Sequence, residues 1–149
     1  MSIPVEVLEV EEHHMNAASH FIFYVADQER STGFYASVLG IEPRLYEPGM
    51  TEFTLPGGGV LGLMPEQGIR NLLGAGLPDP SAASGIPRAE LYLVLTEPSS
   101  YHSRALAAGA KELSPMLPRA WGHVAAYSLD PDGHVLAFAS SAVRSQNMT

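Results

Sequence analysis

The sequence predicts an α+β fold made of two βαβββ modules, and three observations support this prediction. Residues 20–40 have the pattern of a strand followed by a helix that ends at a glycine. Residues 90–109 repeat that pattern, with Glu90 aligned to His20. Each of the two segments is followed by three further strand-like runs. A long internal repeat of this kind indicates two copies of one supersecondary unit.

The first module is predicted over residues 20–64. Residues 20–26 are apolar, aromatic and β-branched, which favours a strand. Asp27 can cap the following helix by accepting backbone N–H bonds, and Gly40 can take the left-handed conformation that ends it. The pattern then predicts strands over 41–46, 51–55 and 60–64, the last two joined by a Pro-Gly-Gly-Gly turn.

The second module is predicted over residues 90–139 and repeats this order. Its first strand covers 90–96, Pro98 suits the first turn of its helix, and Gly109 ends that helix. Its remaining predicted strands cover 110–116, 123–129 and 134–139, the last two joined by an Asp-Pro-Asp-Gly turn.

Three segments lie outside the modules. Residues 65–87 form a long connection rich in Gly, Pro, Ala and Ser, in which Leu72 and Leu73 can form one helical turn. We predict one domain over residues 20–140, an N-terminal arm over 1–19 and a flexible tail over 141–149. The apolar run at residues 5–10 favours either an edge strand or an arm onto a second subunit, and disorder remains an alternative.

Composition excludes several functional classes. The 149 residues include no cysteine, so neither a disulfide nor a thiolate site is possible. The net charge of −8 disfavours nucleic acid as a partner, because phosphate contacts require clustered Lys and Arg. No apolar run approaches the roughly 20 residues needed to cross a bilayer, and no secretory leader opens the chain. We therefore expect a cytoplasmic protein without a membrane partner.

Several motifs together resemble the vicinal oxygen chelate superfamily, which includes glyoxalase I, extradiol dioxygenases and bleomycin-resistance proteins. These motifs are H-x₆-D from His20, followed by S-x-x-F-Y-x-x-V-L-G, then E-x-Y-L-V-L from Glu90 and the D-P-D-G-H turn. The resemblance covers roughly residues 20–140. It implies that the two sheets curl into an open cup, usually completed as a homodimer.

The resemblance also locates four positions that supply metal ligands in metal-dependent members. They fall on His20, Gly62, Glu90 and Ala137 in this sequence. His20 and Glu90 can bind a divalent ion, whereas Gly62 and Ala137 have no side-chain donor. Two ligands are fewer than catalytic zinc or non-haem iron sites use, so we expect no metal cofactor. His13 and His14, although close to His20, do not form a regular ligand pattern with it.

Strand alternation assigns the side chains to faces, since residues two apart share a face. On the first strand, Phe21, Phe23 and Val25 are predicted to pack beneath the helices, which places His20 and Tyr24 in the cup.

On the second module, Glu90 and Tyr92 are predicted to face the cup, whereas His134 points away from it and cannot replace a missing ligand. Trp121, the only tryptophan, either lines the pocket or shields a sheet edge. The candidate ligand-binding residues are therefore His20, Tyr24, Glu90, Tyr92 and Trp121.

Each candidate also has a structural interpretation. His20 can be a hydrogen-bonded remnant of a former ligand position, and the tyrosines can be core aromatics. Burial of the Glu90 carboxylate in an apolar strand costs free energy unless a partner pairs with it or donates a hydrogen bond to it. Its possible partners are His20, Arg119, water or a ligand.

Two functions remain open from the sequence. The first is a metal-independent protein that sequesters an aromatic or cationic small molecule in the manner of bleomycin-resistance proteins. The second is a glyoxalase- or dioxygenase-type enzyme whose degenerate divalent-metal site uses His20 and Glu90. Fold alone does not decide between them.

Overall fold

The computed structural model describes residues 17–141. These residues form two four-stranded mixed sheets that are not closed into a barrel. The first sheet consists of β1 (His20–Val25), β2 (Leu45–Glu47), β3 (Met50–Thr54) and β4 (Val60–Pro65). The second consists of β5 (Glu90–Val94), β6 (Lys111–Pro118), β7 (Val124–Leu129) and β8 (Val135–Ser140). The predicted α+β fold of two βαβββ modules is confirmed.

Both modules have the same topology. The strand order is β1-β4-β3-β2 in one sheet and β5-β8-β7-β6 in the other. In each sheet the first strand pairs in parallel with the last, and the remaining pairs are antiparallel. Helix α1 (Gln28–Leu39) follows β1, α2 (Glu66–Leu73) follows β4, and α3 (Pro98–Ala107) follows β5.

The predicted helix ends are confirmed. Asp27 caps α1 by accepting a hydrogen bond from the Arg30 backbone N–H at 3.0 Å. Gly40 ends α1 in the left-handed conformation, at φ 69°. Pro98 lies in the first turn of α3, where its missing N–H costs no hydrogen bond.

Two predictions about local structure are wrong. Of the segment predicted as strand over 41–46, only Leu45 and Tyr46 belong to a strand, the short β2, because Pro43 cannot donate a ladder bond. The 65–87 connection contains the eight-residue α2 and two 3₁₀ turns, rather than one helical turn. Helix α2 is stabilised by its buried Ile69 and by a 2.8 Å hydrogen bond from Gln67 to Asn71, whereas Leu72 and Leu73 are exposed.

One core joins the two modules. It includes Phe23 and Val25 of β1, Leu63 of β4, and Leu136 and Phe138 of β8, all buried. Phe21, predicted to share this buried face, is instead 59% exposed, because it lies at the start of β1 beside an open cleft. We call the opposite side of each sheet, which lies away from α1 and α3, the cup face.

The Asp130–Gly133 turn fastens the second module to the first. The Tyr35 hydroxyl of α1 donates to Asp130 Oδ2 at 2.5 Å. Asp132 accepts from the Ala26 backbone N–H at 2.9 Å and from the Ser31 hydroxyl at 3.2 Å. Charged acceptors make strong hydrogen bonds in such buried surroundings. We call these hydrogen bonds to Asp130 and Asp132 the inter-module latch, because they hold β1 and α1 against the second module.

The predicted N-terminal arm lies largely outside the described residues, as does the tail beyond residue 141. None of the helices within residues 17–141 has both the length and the apolar character required to cross a bilayer.

Candidate functional site

A cleft of about 720 Å³ lies between the edge strands of the two sheets. Its walls are residues 20–23 of β1, residues 89–93 at β5, and the turn residues Leu55, Pro56, Gly57 and Gly59. The cleft has the size and the mixed apolar and polar lining of a small-molecule site. Of the five predicted ligand-binding residues, His20, Glu90 and Tyr92 line it.

The position of Gly62 is closed to a larger side chain. Gly62 pairs with Ile22 on one neighbouring strand and with Glu52 on the other. A Cβ on Gly62 would lie 3.1 Å from Ile22 Cγ1 and 3.3 Å from Met50 Sδ. Apolar side chains therefore occupy the space where a metal-binding side chain would have to project.

The position of Ala137 is covered by aromatic residues. Ala137 pairs with Tyr92 on β5 and with Tyr127 on β7, so the three side chains share the cup face. Ala137 itself has no exposed surface. The larger side chains around it therefore cover its methyl group.

These residues do not fit a divalent-metal centre. Over residues 17–141, no three His, Asp or Glu side chains come together in a way that could hold a metal ion. Neither Gly62 nor Ala137 offers a donor, and both positions are enclosed by neighbouring side chains. A catalytic metal site requires at least three protein ligands.

His20 has a different neighbour from the ones that the sequence suggested. Its Nδ1 lies 3.5 Å from Oε2 of Glu52 on β3. The other oxygen of Glu52 accepts a hydrogen bond from Arg44 Nε at 3.0 Å. Glu52 therefore lies between two basic side chains, and His20 does not form an ion pair with Glu90.

An aromatic cluster of Tyr92, Trp121, His123 and Tyr127 lies on the second module. The Trp121 indole N–H donates to the Tyr92 hydroxyl at 2.8 Å. The same hydroxyl lies 2.6 Å from His123 Nδ1, and the two rings stack with centroids 5.8 Å apart. Trp121 is 57% exposed beside this pair, and it does not line the cleft described above.

Tyr127 connects the aromatic cluster to Glu90. Burial raises the pKa of the Tyr127 phenol above its ordinary value, and the carboxylate of Glu90 and the phenol of Tyr92 raise it further. Arg119 acts against this rise, since its guanidinium lies 5.0 Å over the Tyr127 ring. Glu90 and Tyr92 are also two residues apart on β5 and therefore share a face, so Glu90 lies on the side of the sheet that carries the aromatic cluster.

Glu90 has no basic partner among the described residues. It is exposed at the start of β5, and no Lys, Arg or His within residues 17–141 forms an ion pair with it. Arg119, one of its predicted partners, instead donates to the Ala125 carbonyl at 2.8 Å and to the Ser114 hydroxyl at 2.6 Å. The cup face thus carries a carboxylate that is available to a ligand.

Tyr24 lies apart from the aromatic cluster. It is half-buried at the far end of β1, and its carbonyl oxygen lies 3.3 Å from His134 Nε2. His134 is buried and stacks on Phe23 with centroids 4.2 Å apart. The prediction that His134 points away from the cup is confirmed.

The sequence analysis missed three residues of the site. Glu52, His123 and Tyr127 lie within segments for which the sequence pattern predicts strands but no functional role. For Tyr127 a signal existed, because the repeat and the alternation of β7 place it on the cup face. For Glu52 and His123, the contacts depend on strand register and on turn geometry, which the sequence pattern does not specify.

A protein-family model matches most of the chain. The sequence model of the glyoxalase/bleomycin resistance protein/dioxygenase superfamily matches residues 17–138. A glyoxalase-related enzyme from Fulvimarina pelagi is 23% identical, with a TM-score of 0.68 over 86% of this chain and 90% of that one.

Two further solved structures have the same fold. A glyoxalase/bleomycin resistance protein/dioxygenase from Nocardioides is 22% identical, with a TM-score of 0.66 over 90% of this chain and 92% of that one. TioX from Micromonospora sp. ML1 is 20% identical, with a TM-score of 0.62 over 85% of this chain and 99% of that one. No curated protein matches the chain.

Proposed function

The chain belongs to the glyoxalase/bleomycin resistance protein/dioxygenase superfamily, and we propose that it is a metal-independent member that binds an aromatic or cationic small molecule in its cup. The observation that carries this proposal is the carboxylate of Glu90, which has no ion-pair partner within residues 17–141 and shares a strand face with Tyr92 of the aromatic cluster. Sequestration of the bound molecule, as in bleomycin-resistance proteins, is the activity that such a site supports.

The metal-independent part of the proposal rests on the two enclosed positions. Ile22 and Met50 fill the space at Gly62, and the tyrosines beside Ala137 cover its methyl group. Loss of ligands at such positions leaves a concave surface with few polar groups, which is the general form of a binding site for small organic molecules.

The ligand chemistry follows from the groups on the cup face. The aromatic cluster offers stacking surfaces, each worth about 0.5–1.5 kcal/mol beyond burial for a well-placed ring. Trp and Tyr rings also attract cations, and the carboxylate of Glu90 adds to that attraction. A flat aromatic molecule with a positive charge would use both features.

The alternative function is that of a glyoxalase- or dioxygenase-type enzyme with a degenerate metal site. The observation that favours it is the placement of His20 beside Glu52, with Glu90 across the same cleft. Its requirement is a stoichiometric metal that contacts both His20 and Glu90.

We also propose that the protein is a homodimer. The strands β2 and β6 lie at the outer edges of their sheets, and unpaired edges need covering. Strand β6 additionally exposes Leu113 (50%) and Leu117 (45%), which favours β6 as the edge that meets the second subunit.

A matched pair of probes tests the binding proposal. N-methylquinolinium and quinoline have the same flat ring system, but only the first carries a permanent positive charge. Titration of chelator-treated protein, followed through the single Trp121 indole resonance by NMR, is expected to give saturable binding with the cation bound more tightly. Glu90→Gln should weaken the cation about two- to fivefold, the usual scale for losing an ion contact at a solvent-exposed position, and quinoline much less.

Two further variants complete that experiment. Glu97→Gln removes the same charge from an exposed position at the start of α3, and it should leave both affinities unchanged. Tyr92→Ala should weaken both probes because it removes a stacking surface. Undiminished binding in both Glu90→Gln and Tyr92→Ala would place the site elsewhere and refute the proposal.

A further inference from the structure

Three side chains of the aromatic cluster form a chain of hydrogen bonds, and one polarity of this chain gives the polar hydrogens of both Trp121 and Tyr92 an acceptor within the cluster. The Trp121 indole has a donor and no acceptor, so at 2.8 Å the Tyr92 oxygen accepts from it. The Tyr92 hydroxyl retains one hydrogen, and His123 Nδ1 lies 2.6 Å from its oxygen. Donation from Tyr92 to His123 gives that hydrogen an acceptor within the cluster.

The reverse arrangement leaves a group unsatisfied. If His123 donated from Nδ1, Tyr92 would accept twice and its own hydrogen would need a third partner. The hydroxyl of Tyr92 makes no further hydrogen bond within residues 17–141. A polar hydrogen without a partner in half-buried surroundings costs free energy.

With this polarity, the tautomer of His123 follows. A neutral histidine whose Nδ1 accepts must carry its proton on Nε2. His123 Nε2 has no hydrogen-bond partner among the described residues, and it is not among their buried unpartnered atoms, so it reaches solvent. Because the His123 ring stacks beside Tyr92 on the cup face, this N–H lies at the edge of the aromatic cluster.

We infer that His123 is a specificity-determining residue that presents a fixed Nε2–H donor to the ligand in the cup. The inference rests on the proposed function of the cup and adds a requirement to it. A flat aromatic ligand gains affinity when an acceptor on its rim, such as a ring nitrogen or a carbonyl oxygen, meets this N–H. Trp121 and Tyr92 act on that selection indirectly, as positioning residues that hold His123 in one tautomer.

The tautomer can be measured without any ligand. Long-range ¹H–¹⁵N correlation spectra at pH 8, where an ordinary histidine is neutral, report which ring nitrogen carries the proton. The His123 signals are identified by their loss in His123→Gln. We expect the Nε2–H form in the native protein and a mixture of tautomers in Tyr92→Phe. An Nδ1–H form of His123 in the native protein would overturn the inference.

Ligand selection is tested with quinoline and naphthalene, which share a shape but differ in one ring nitrogen. His123→Phe keeps an aromatic side chain and removes the donor. We expect the ratio of quinoline to naphthalene affinity to fall about three- to tenfold in this variant, the usual range for one neutral hydrogen bond. N-methylquinolinium serves as the control, because its nitrogen has no lone pair and its affinity relative to naphthalene should not change.

The outcomes separate this inference from the proposed function. An unchanged quinoline to naphthalene ratio in His123→Phe, with both compounds still bound and displaced by N-methylquinolinium, overturns the role of His123 but leaves the cup as the binding site. Binding of none of the three compounds overturns the proposed function and, with it, the selection by His123.

Discussion

Ile22 occupies the space that a side chain at Gly62 would need. The two residues are partners across β1 and β4, and a Cβ added to Gly62 would lie 3.1 Å from Ile22 Cγ1. Real Cβ atoms rarely approach another atom so closely. The large side chain of Ile22 is therefore matched by the absence of a side chain at Gly62. A metal-binding side chain at residue 62 would require Ile22 to move.

We predict that the protein purifies without stoichiometric nickel, zinc, iron or manganese. The reason is the absence of donors at Gly62 and Ala137 together with the enclosure of both positions. Elemental analysis should show well under one equivalent of each metal, and a chelator should leave the melting temperature unchanged. One equivalent of metal that is lost in both His20→Ala and Glu90→Ala would contradict this prediction and favour the enzyme alternative.

A second prediction concerns alkaline pH and the inter-module latch. Burial raises the pKa of Tyr35 well above its ordinary value, and the neighbouring carboxylates of Asp130 and Asp132 add to the rise. A raised folded-state pKa means that the stability linked to the Tyr35 proton is fully present below the unfolded value of about 10 and is lost as the pH rises above it.

The native protein should therefore lose up to about 1.4 kcal/mol of unfolding free energy per pH unit above about pH 10 through Tyr35 alone. Tyr35→Phe should be less stable at neutral pH but should lack this part of the slope. Urea denaturation at pH 8.5 and at pH 11 measures both quantities. Tyr46→Phe is the control, since Tyr46 is 55% exposed; equal pH slopes in the native protein and in Tyr35→Phe would refute the assignment.

A third prediction uses two glycines with the same backbone angle. Gly133 and Gly57 both have φ 89°. A Cβ on Gly133 would lie 2.7 Å from the backbone carbon of Gly85, whereas one on Gly57 would meet nothing within 4 Å.

Gly57→Ala should therefore cost only the strain of a left-handed alanine, about 1–2 kcal/mol. Gly133→Ala should cost at least about 2 kcal/mol more, because the overlap involves backbone that cannot turn aside. Denaturant midpoints of the two variants compare these costs directly. Equal destabilisation would show that the 130–133 turn can move away from Gly85 without a further loss of unfolding free energy, and it would contradict this prediction.

The fourth prediction is that light scattering at micromolar concentration gives the mass of a homodimer. If β6 is the shared edge, Leu113→Lys combined with Leu117→Lys should yield monomers, because the change buries two charges in the interface. Leu72→Lys is a suitable control at a position that is 69% exposed on α2. A native monomer would refute the dimer, whereas dissociation by Leu72→Lys alone would move the interface to α2.

Sequence patterns were sufficient for the parts of this fold that depend on local signals. The repeat aligns His20 with Glu90, and strand alternation assigns His134 to the core side of its sheet, where it stacks on Phe23. Capping by Asp27 and the end of α1 at Gly40 are local as well. The length of α2 was missed because its pattern is short and its stability depends on packing of Ile69.

The contacts within the site were less accessible to sequence reasoning. The contact between His20 Nδ1 and the Glu52 carboxylate depends on the register of β1, β4 and β3, which a short sequence pattern does not specify. The contact of His123 with Tyr92 depends on the turn before β7. Strand alternation alone predicts that Phe21 is buried. It is exposed because an open cleft separates the edge strands β1 and β5 at this point.

The most direct test of the central claim is to locate a bound probe on the protein. Nuclear Overhauser contacts between N-methylquinolinium and chelator-treated protein report which side chains lie against it. We predict contacts to the ring protons of Tyr92, Trp121 and Tyr127, with the probe displaced by quinoline. Contacts confined to Ile69 and Ile86 in the 65–87 segment, or binding that disappears when metal is removed, would contradict the claim that the cup is a metal-independent binding site.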